Sequence, residues 1–483
     1  MMYVVVTKRT QPNERTVSHM NHYAVITVTA MVAAVVLGGC ASVEERTAFQ
    51  ELSAARQMPH VSEDRMSAPC ELPTLDEEST LADYLAYAAL NNPGLEAAFN
   101  RWKAALERVP QVRSLPDPRF NYGYFIQEVE TRVGPQRHRF GLSQMFPWFG
   151  KLALQGDVAL EAANAERQRY EAAKLDLFYQ VKRAYFEYYY LGRAIAVTEE
   201  NIQLLTYLEA VARTKYTAGA PTHAAVIKAQ VELGKLEDQL RGLRDFVGPV
   251  VAELNAALNR PSDASLPLPA SIPEDKVALS EQQLLSWVKE QNPELKAIEF
   301  MAAKERAAID LAKKDYFPDI TVGVDYIETD SALMPGTRDS GKDPVVGMMS
   351  INVPIWRGKY RAAEREAEAR YEASLRELSD RENTLVARLE MALYGFRDAE
   401  RKIDLYRDAL VPKAEQSLKV TQQSYEAGRA DFLDVIDAQR VLLEFELSYE
   451  RALTNRAQRL AEIEMLVGRE VPRAGEGESS GNR

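Results

Sequence analysis

Tyr425-Glu-Ala-Gly428-Arg-Ala-Asp-Phe-Leu-Asp434-Val-Ile-Asp437-Ala-Gln439 restates Tyr216-Thr-Ala-Gly219-Ala-Pro221-Thr-His-Ala-Ala225-Val-Ile-Lys-Ala-Gln230, 209 residues upstream. Asn-Pro-x-Leu at 92–95 likewise returns at 292–295, and Pro118 with Gly123 returns as Pro318 with Gly323, both offset by 200. The landmarks keep one order, and the offset grows inside one loop. The stretch from Asn92-Pro93 to Asn259-Arg260 is thus repeated from Asn292-Pro293 to Gly468-Arg469. A solenoid takes three or more short units. Two long copies instead point to one architectural unit, duplicated so that the copies share a wall.

Each copy alternates helix and strand patterns in the same order. The first helix is expected over about Leu81–Leu115, opening at Ser79-Thr80, with its counterpart over Ser280–Tyr316. Pro116, Pro118 and Pro318 end these helices, because the ring removes a ladder donor. Phe120, Tyr122, Tyr124 and Ile126 then alternate with small or polar residues, and Phe140–Phe146, Ile320–Tyr326 and Val345–Val353 follow the same two-residue period. Such strands fit a membrane barrel, and the period fits a soluble hairpin on a helical core equally well. The hairpin loops are expected at Glu128–Arg137 and Thr329–Asp343. Trp148 and Trp356, each close to a Gly-Lys pair after the strands, suit a membrane interface.

Long helices come next. Lys151–Thr217 has no proline, and its counterpart Lys359–Ala427 has only Pro412. Sixty-odd residues at 1.5 Å each reach roughly 95 Å, so a neighbour is needed along the whole length. In the returning helix Val435, Ala438, Leu442, Phe445, Tyr449 and Ala452 show knobs-into-holes spacing, read as packing. Gly219 and Gly428 stop the long helices, and Pro221 starts the next one comfortably.

The chain has 483 residues, 46% hydrophobic, and a formal charge of −12. Residues 1–39 carry Lys8, Arg9 and Arg15 against Glu14, so the rest sits near −14. Phosphate neutralisation needs clustered Lys and Arg, so no nucleic-acid partner is expected. The apolar run 24–36 is too short to span a bilayer as a helix, which takes ~20 residues, and suits an export signal. It ends in Leu37-Gly38-Gly39-Cys40, which resembles a bacterial lipoprotein box with Cys40 as the lipid-bearing residue. Cys70 is left alone, so no disulfide framework exists. The expected organisation is a removed signal at 1–39, a linker at 40–76, a first copy at 77–262 with hairpin 119–146, a linker at 263–279, a second copy at 280–470 with hairpin 319–354, and a tail at 471–483.

Together these features resemble the TolC-type outer membrane factors, and among them the lipidated branch serving heavy-metal and drug efflux pumps. The likeness covers about residues 75–470. It implies a mainly α fold with a membrane β-barrel portion: a duplicated helix–β-hairpin–long helix–helix unit, built into a trimeric 12-strand β-barrel that continues into a 12-helix coiled α-barrel. Four strands alone leave open edges that lipid does not tolerate, so closure would need sister subunits. The implied function is the passive exit duct of a tripartite RND-type efflux or type I secretion system. The implied partners are a homotrimer, a periplasmic adaptor (membrane fusion) protein, an inner-membrane pump and outer-membrane lipid. The implied location is the bacterial outer membrane, lipid-anchored and extending into the periplasm.

The resemblance also implies a closable periplasmic entrance. Motif alignment places its lumen aspartates at Asp434 and Asp437 and its gate tyrosine at Tyr425, with Arg429 beside the turn. Ala430 stands where an arginine is usual and Ala225 where an acid occurs, so the closing bonds must differ. Acids at a helix start also have a dipole explanation. Gly219, Pro221 and Gly428 would be adaptor-docking turns, although capping explains such glycines too. No Cys-x-x-Cys, His-x-x-x-His, phosphate-cradling glycine loop or Gly-x-Ser-x-Gly is present, so neither an enzyme nor a cofactor is expected beyond the covalent lipid on Cys40. The rival reading is a periplasmic coiled-coil scaffold or adaptor lipoprotein without a pore.

Overall fold

The computed structural model describes residues 43–57, 74–218, 223–272, 277 and 280–472. Cys40, Cys70, Gly219 and Pro221 lie outside them. The order is α1 (Val43–Gln57), α2 (Leu81–Asn91), α3 (Pro93–Arg113), β1 (Arg119–Thr131), β2 (Gly134–Phe146), α4 (Lys151–Thr217), α5 (His223–Leu258), α6 (Glu281–Gln291), α7 (Pro293–Lys314), β3 (Ile320–Thr329), β4 (Val345–Ile351), α8 (Arg357–Leu405), a π-helical turn (Tyr406–Leu410), α9 (Val411–Glu426) and α10 (Phe432–Val467). The chain divides into a strand unit (Met1–Arg56, Trp102–Ala165, Ile298–Arg376) and a helical unit (Gln57–Arg101, Glu166–Ala297, Glu377–Arg483).

Each expected first helix is broken in two at its Asn-Pro pair, because proline supplies no N–H to continue the ladder. The asparagine makes the corner. Asn92 Oδ1 accepts the Leu95 N–H at 3.0 Å, while its Nδ2 donates to the Ala257 carbonyl at 2.9 Å. Asn292 repeats this with the Leu295 N–H at 3.2 Å and the Leu466 carbonyl at 2.8 Å. One side chain therefore caps a new helix and ties it to the end of the returning one. That explains why Asn-Pro is among the landmarks of both copies.

The helical unit packs the same core twice. Tyr84, Leu95, Leu177, Val181 and Leu254 form one cluster, and Leu284, Leu295, Leu385, Leu389 and Ile463 form the other. Those equivalences are offset by 200, then 208, then 209, so the gain is not confined to the hairpin loop. One residue is gained inside the long helix, between Phe396, the counterpart of Tyr188, and Tyr425. The π-helical turn Tyr406–Leu410 falls in that interval. An extra residue in an α-helix would rotate everything beyond it by about 100°, and a one-turn π-bulge absorbs it while keeping the packed face in register. Copy one has no such turn: α4 runs unbroken for 67 residues. A third cluster, with Leu205, Leu208, Leu236, Leu418, Phe432 and Val435, joins α4, α5, α9 and α10. In α10 Val435, Leu442 and Ala452 are buried, while Ala438, Phe445 and Tyr449 are half-buried.

In the strand unit the four strands form one antiparallel sheet in the order β1-β2-β3-β4. The first hairpin is longer than its sequence suggests. Pairing runs through Thr131↔Gly134 past an irregularity between Tyr124 and Val129, so Glu128–Thr131 and Gly134–Arg137 are strand. Polar residues there hide the alternation because that end needs no apolar face. The 40–76 linker likewise holds a helix, α1, which buries Ala48 and Leu52 four residues apart. Arg113 Nη1 binds the buried Glu45 of α1 at 2.9 Å and its Nη2 binds Asp157 at 3.1 Å.

Candidate functional site

Residues paired across an antiparallel sheet share a face, so the register sorts the side chains. One face carries Phe120, Tyr122 and Tyr124 on β1, Phe140, Leu142 and Phe146 on β2, Ile320, Val322, Val324 and Tyr326 on β3, and Val345, Met349 and Ile351 on β4, with His138, Gln144 and Glu328 among them. The other carries Arg119, Asn121 and Gly123, then Arg139, Gly141, Ser143 and Met145, then Thr321, Gly323, Asp325 and Ile327, then Val346, Met348 and Ser350. The first face is left uncovered by the described residues: Phe120, Tyr122, Leu142, Val324, Val345 and Met349 are all exposed. Tilted rings meet across the strands, Tyr122–Phe140 at 5.4 Å and Phe140–Tyr326 at 6.3 Å. Aromatics do not extend to β4, whose apolar residues are Val, Met and Ile. Met348 and Met349 fall on opposite faces, as adjacent strand residues must.

At the proline end of the sheet, Trp148 stacks on Phe317 at 5.3 Å, while Phe149 and Trp356 stay exposed. Lys151 Nζ lies 3.1 Å from both Asp315 and Asp319, and Asp319 Oδ1 also accepts the Trp148 N–H at 2.9 Å. Burial acts to lower the Lys151 pKa, but the hydrogen bonds it donates to the two aspartates outweigh that and hold the ammonium above the ordinary lysine range. This cluster closes the sheet where the long helices begin.

In the helical unit the α9–α10 turn places the remaining candidates. Gly428 has φ 75°, its N–H donates to the Tyr425 carbonyl at 3.0 Å, and the Arg429 N–H donates to the Ser424 carbonyl at 2.7 Å. That is a Schellman stop, which accounts for the glycine. Open space surrounds the position a Gly428 Cβ would take. Arg429 itself is exposed.

Tyr425, the residue that motif alignment places at the gate, points into the packing between helices. It is 4% exposed, packs on Phe432 at 5.3 Å between ring centroids, and its buried hydroxyl has no hydrogen-bond partner among the described residues. Lys215 Nζ sits 4.0 Å from its ring centroid. Burial raises the phenol pKa and the Asp431 charge adds to that. The aromatic ring is core because three helices converge at this turn, a tertiary fact that the motif does not carry.

Asp431 and Asp434 form the N-terminal box of α10: Asp431 Oδ1 accepts the Phe432 N–H at 2.6 Å, and Asp434 Oδ2 accepts the Asp431 N–H at 3.1 Å. Asp434 and Asp437 are both exposed on the face opposite Val435 and Ile436. Asp437 lies 3.4 Å from Arg440, which also donates to the largely buried Glu232 of α5 at 2.9 Å. The hydrogen bond from Arg440 holds the Glu232 carboxyl below its usual range, against the opposing effect of burial. Arg440 thus couples the returning helices of the two copies. Its role was not visible in sequence, because Glu232 is 208 residues away.

Among the described residues no group of His, Cys, Asp and Glu could hold a metal ion. The sequence profile described as "outer membrane efflux protein" matches residues 85–260 and 284–469, once on each copy. The outer membrane protein OprJ of Pseudomonas aeruginosa is 26% identical over 403 residues, 82% of this chain and 80% of that one. The cobalt-zinc-cadmium resistance protein CzcC of Cupriavidus metallidurans is 23% identical over 81% of this chain and 90% of its own. The open-state outer membrane channel MtrE of Neisseria gonorrhoeae superposes with a TM-score of 0.66 at 19% identity, over 80% of this chain and 89% of that one. The fold is thus that of the TolC-like channels, which span the outer membrane and reach into the periplasm. This chain belongs to the outer membrane efflux protein family and is an outer-membrane efflux channel component.

Proposed function

We propose that three copies of this chain close a twelve-stranded barrel in the outer membrane, held also by a lipid on Cys40, and that the trimer is the passive exit duct of a tripartite RND-type pump. The sheet carries this reading: it has one mainly apolar face, one mainly polar face and two unpaired edges, β1 and β4. An unpaired edge in lipid costs several kcal/mol per lost hydrogen bond, so each β1 pairs with the β4 of a sister subunit. Three copies give an even strand number in the range barrels use. The apolar face meets lipid and the polar face meets water. Among the described residues no helix is long and apolar enough to cross a membrane.

The protein performs no chemistry. Energy comes from an inner-membrane pump through a periplasmic adaptor, which docks at the helix turns around Gly219, Pro221 and Gly428. Cargo is a metal ion or a drug-sized solute; the relative CzcC is a cobalt-zinc-cadmium resistance protein. Asp434 and Asp437 face the water-filled entrance, where three copies of each concentrate negative charge and favour cations.

Purified protein in a planar bilayer should conduct with a preference for cations. The double substitution Asp434→Ala, Asp437→Ala should lower the cation-to-anion permeability ratio about two-fold at low salt, where screening is weakest. An unchanged ratio removes both residues from the lumen wall, and absence of any conductance removes the duct.

A further inference from the structure

We infer that Arg139 and Asp325 set the ion preference of the barrel bore, as a charge-compensated ring of three pairs; this rests on the barrel reading above. Both belong to the polar face, on β2 and β3. Arg139 Nε donates to Asp325 Oδ2 at 2.8 Å, and its Nη2 lies 3.8 Å from Met348 Sδ on β4. The guanidinium therefore lies flat along the wall across three strands. Asp325 is 3% exposed beneath it, while the Arg139 side chain stays 45% exposed.

The neighbours make room for this arrangement. Gly141, paired with Asp325, has no Cβ, and one placed there would collide with the carboxylate. Gly123, paired with Arg139, and Gly323, paired with Ser143, also carry no side chain into the bore. A bore walled by glycine at this level has few groups able to meet a passing ion. Arg139 is the long charged side chain there, and Asp325 cancels its charge. Among the strand residues assigned to this face, the only other charge is Arg119. At the level of Arg139 the wall is close to neutral while the pair holds, so the preference set at the periplasmic entrance passes this level unaltered.

The test is the reversal potential of trimers in a planar bilayer under a salt gradient. Arg139→Gln uncovers three carboxylates and should raise the cation-to-anion permeability ratio about two-fold in 0.1 M salt, where the screening length is about 10 Å. Asp325→Asn releases the guanidinium and should lower the ratio by a similar factor. The double variant should return to the wild-type value. A pair that only fixes strand register would leave the ratio unmoved in every channel that forms, and that result overturns the inference. Where a single variant does not assemble, Met348→Cys keeps both charges and places a thiol beside Arg139. Membrane-impermeant cationic and anionic thiol reagents should then shift the ratio in opposite directions, and an unreactive thiol in conducting trimers overturns the inference. Loss of the trimer or of all conductance in the wild type counts against the barrel itself and not against the pair.

Discussion

Val324→Arg should abolish assembly in the outer membrane, whereas Asn121→Arg should be nearly silent. Val324 is central in β3 and pairs with Leu142 and Gly347 on the apolar face. Asn121 is at almost the same depth, paired through Gly141 with Asp325, but on the polar face. An arginine on the lipid face near the midplane costs about 2–4 kcal/mol, and each trimer would bear it three times. On the water-filled face the same side chain is solvated and lies near the Asp325 carboxylate. The heat-modifiable trimer band from outer-membrane fractions should fall at least about ten-fold for Val324→Arg and less than about two-fold for Asn121→Arg. Equal tolerance of both would show that the apolar face never meets lipid.

The second large effect is at the corner of copy two. Asn292→Ala removes the donor to the Leu466 carbonyl and the cap on α7 together. Asn292 is 2% exposed, so the carbonyl it leaves cannot turn to water. A buried orphan acceptor plus a lost cap should cost roughly 2–4 kcal/mol. Asn92 makes the same bonds but is only half-buried, so Asn92→Ala should cost about half as much, since water can replace the lost donor. Denaturant unfolding of the detergent-solubilised variants measures the difference. Equal costs would mean that burial does not set the strength of these corners.

The duplication, the strands and the very long helices were legible because each leaves a periodic trace. Asn-Pro was legible as a landmark but not as a break, because its meaning depends on a carbonyl 165 or 174 residues away in sequence. The π-helical turn is foreshadowed by an offset of 208 at Gly358-Lys359 that becomes 209 at Tyr425, a difference the landmark spacing alone passed over. The first hairpin keeps its expected ends at 119 and 146, but its loop shrinks from 128–137 to 132–133, a stretch whose polar residues carry no alternation.

The site divides in the same way. Asp434 and Asp437 are exposed on one helix face, as a repeat aligned with the start of a helix suggests. Tyr425 carries the same motif signal yet lies in the core, because burial at a three-helix turn is decided by residues such as Leu205 and Phe432 from distant segments. Arg139 with Asp325, and Arg440 with Glu232, join residues about 190 and 210 apart, and one chain's pattern of charges does not announce such partners.

The barrel stands or falls on how many chains enclose it. Native mass spectrometry of the protein released from detergent counts them directly. One species at three times the mature chain mass, with no stable single chain, is the result that edge pairing of β1 with β4 requires. A monodisperse single chain that stays in solution without detergent would contradict it.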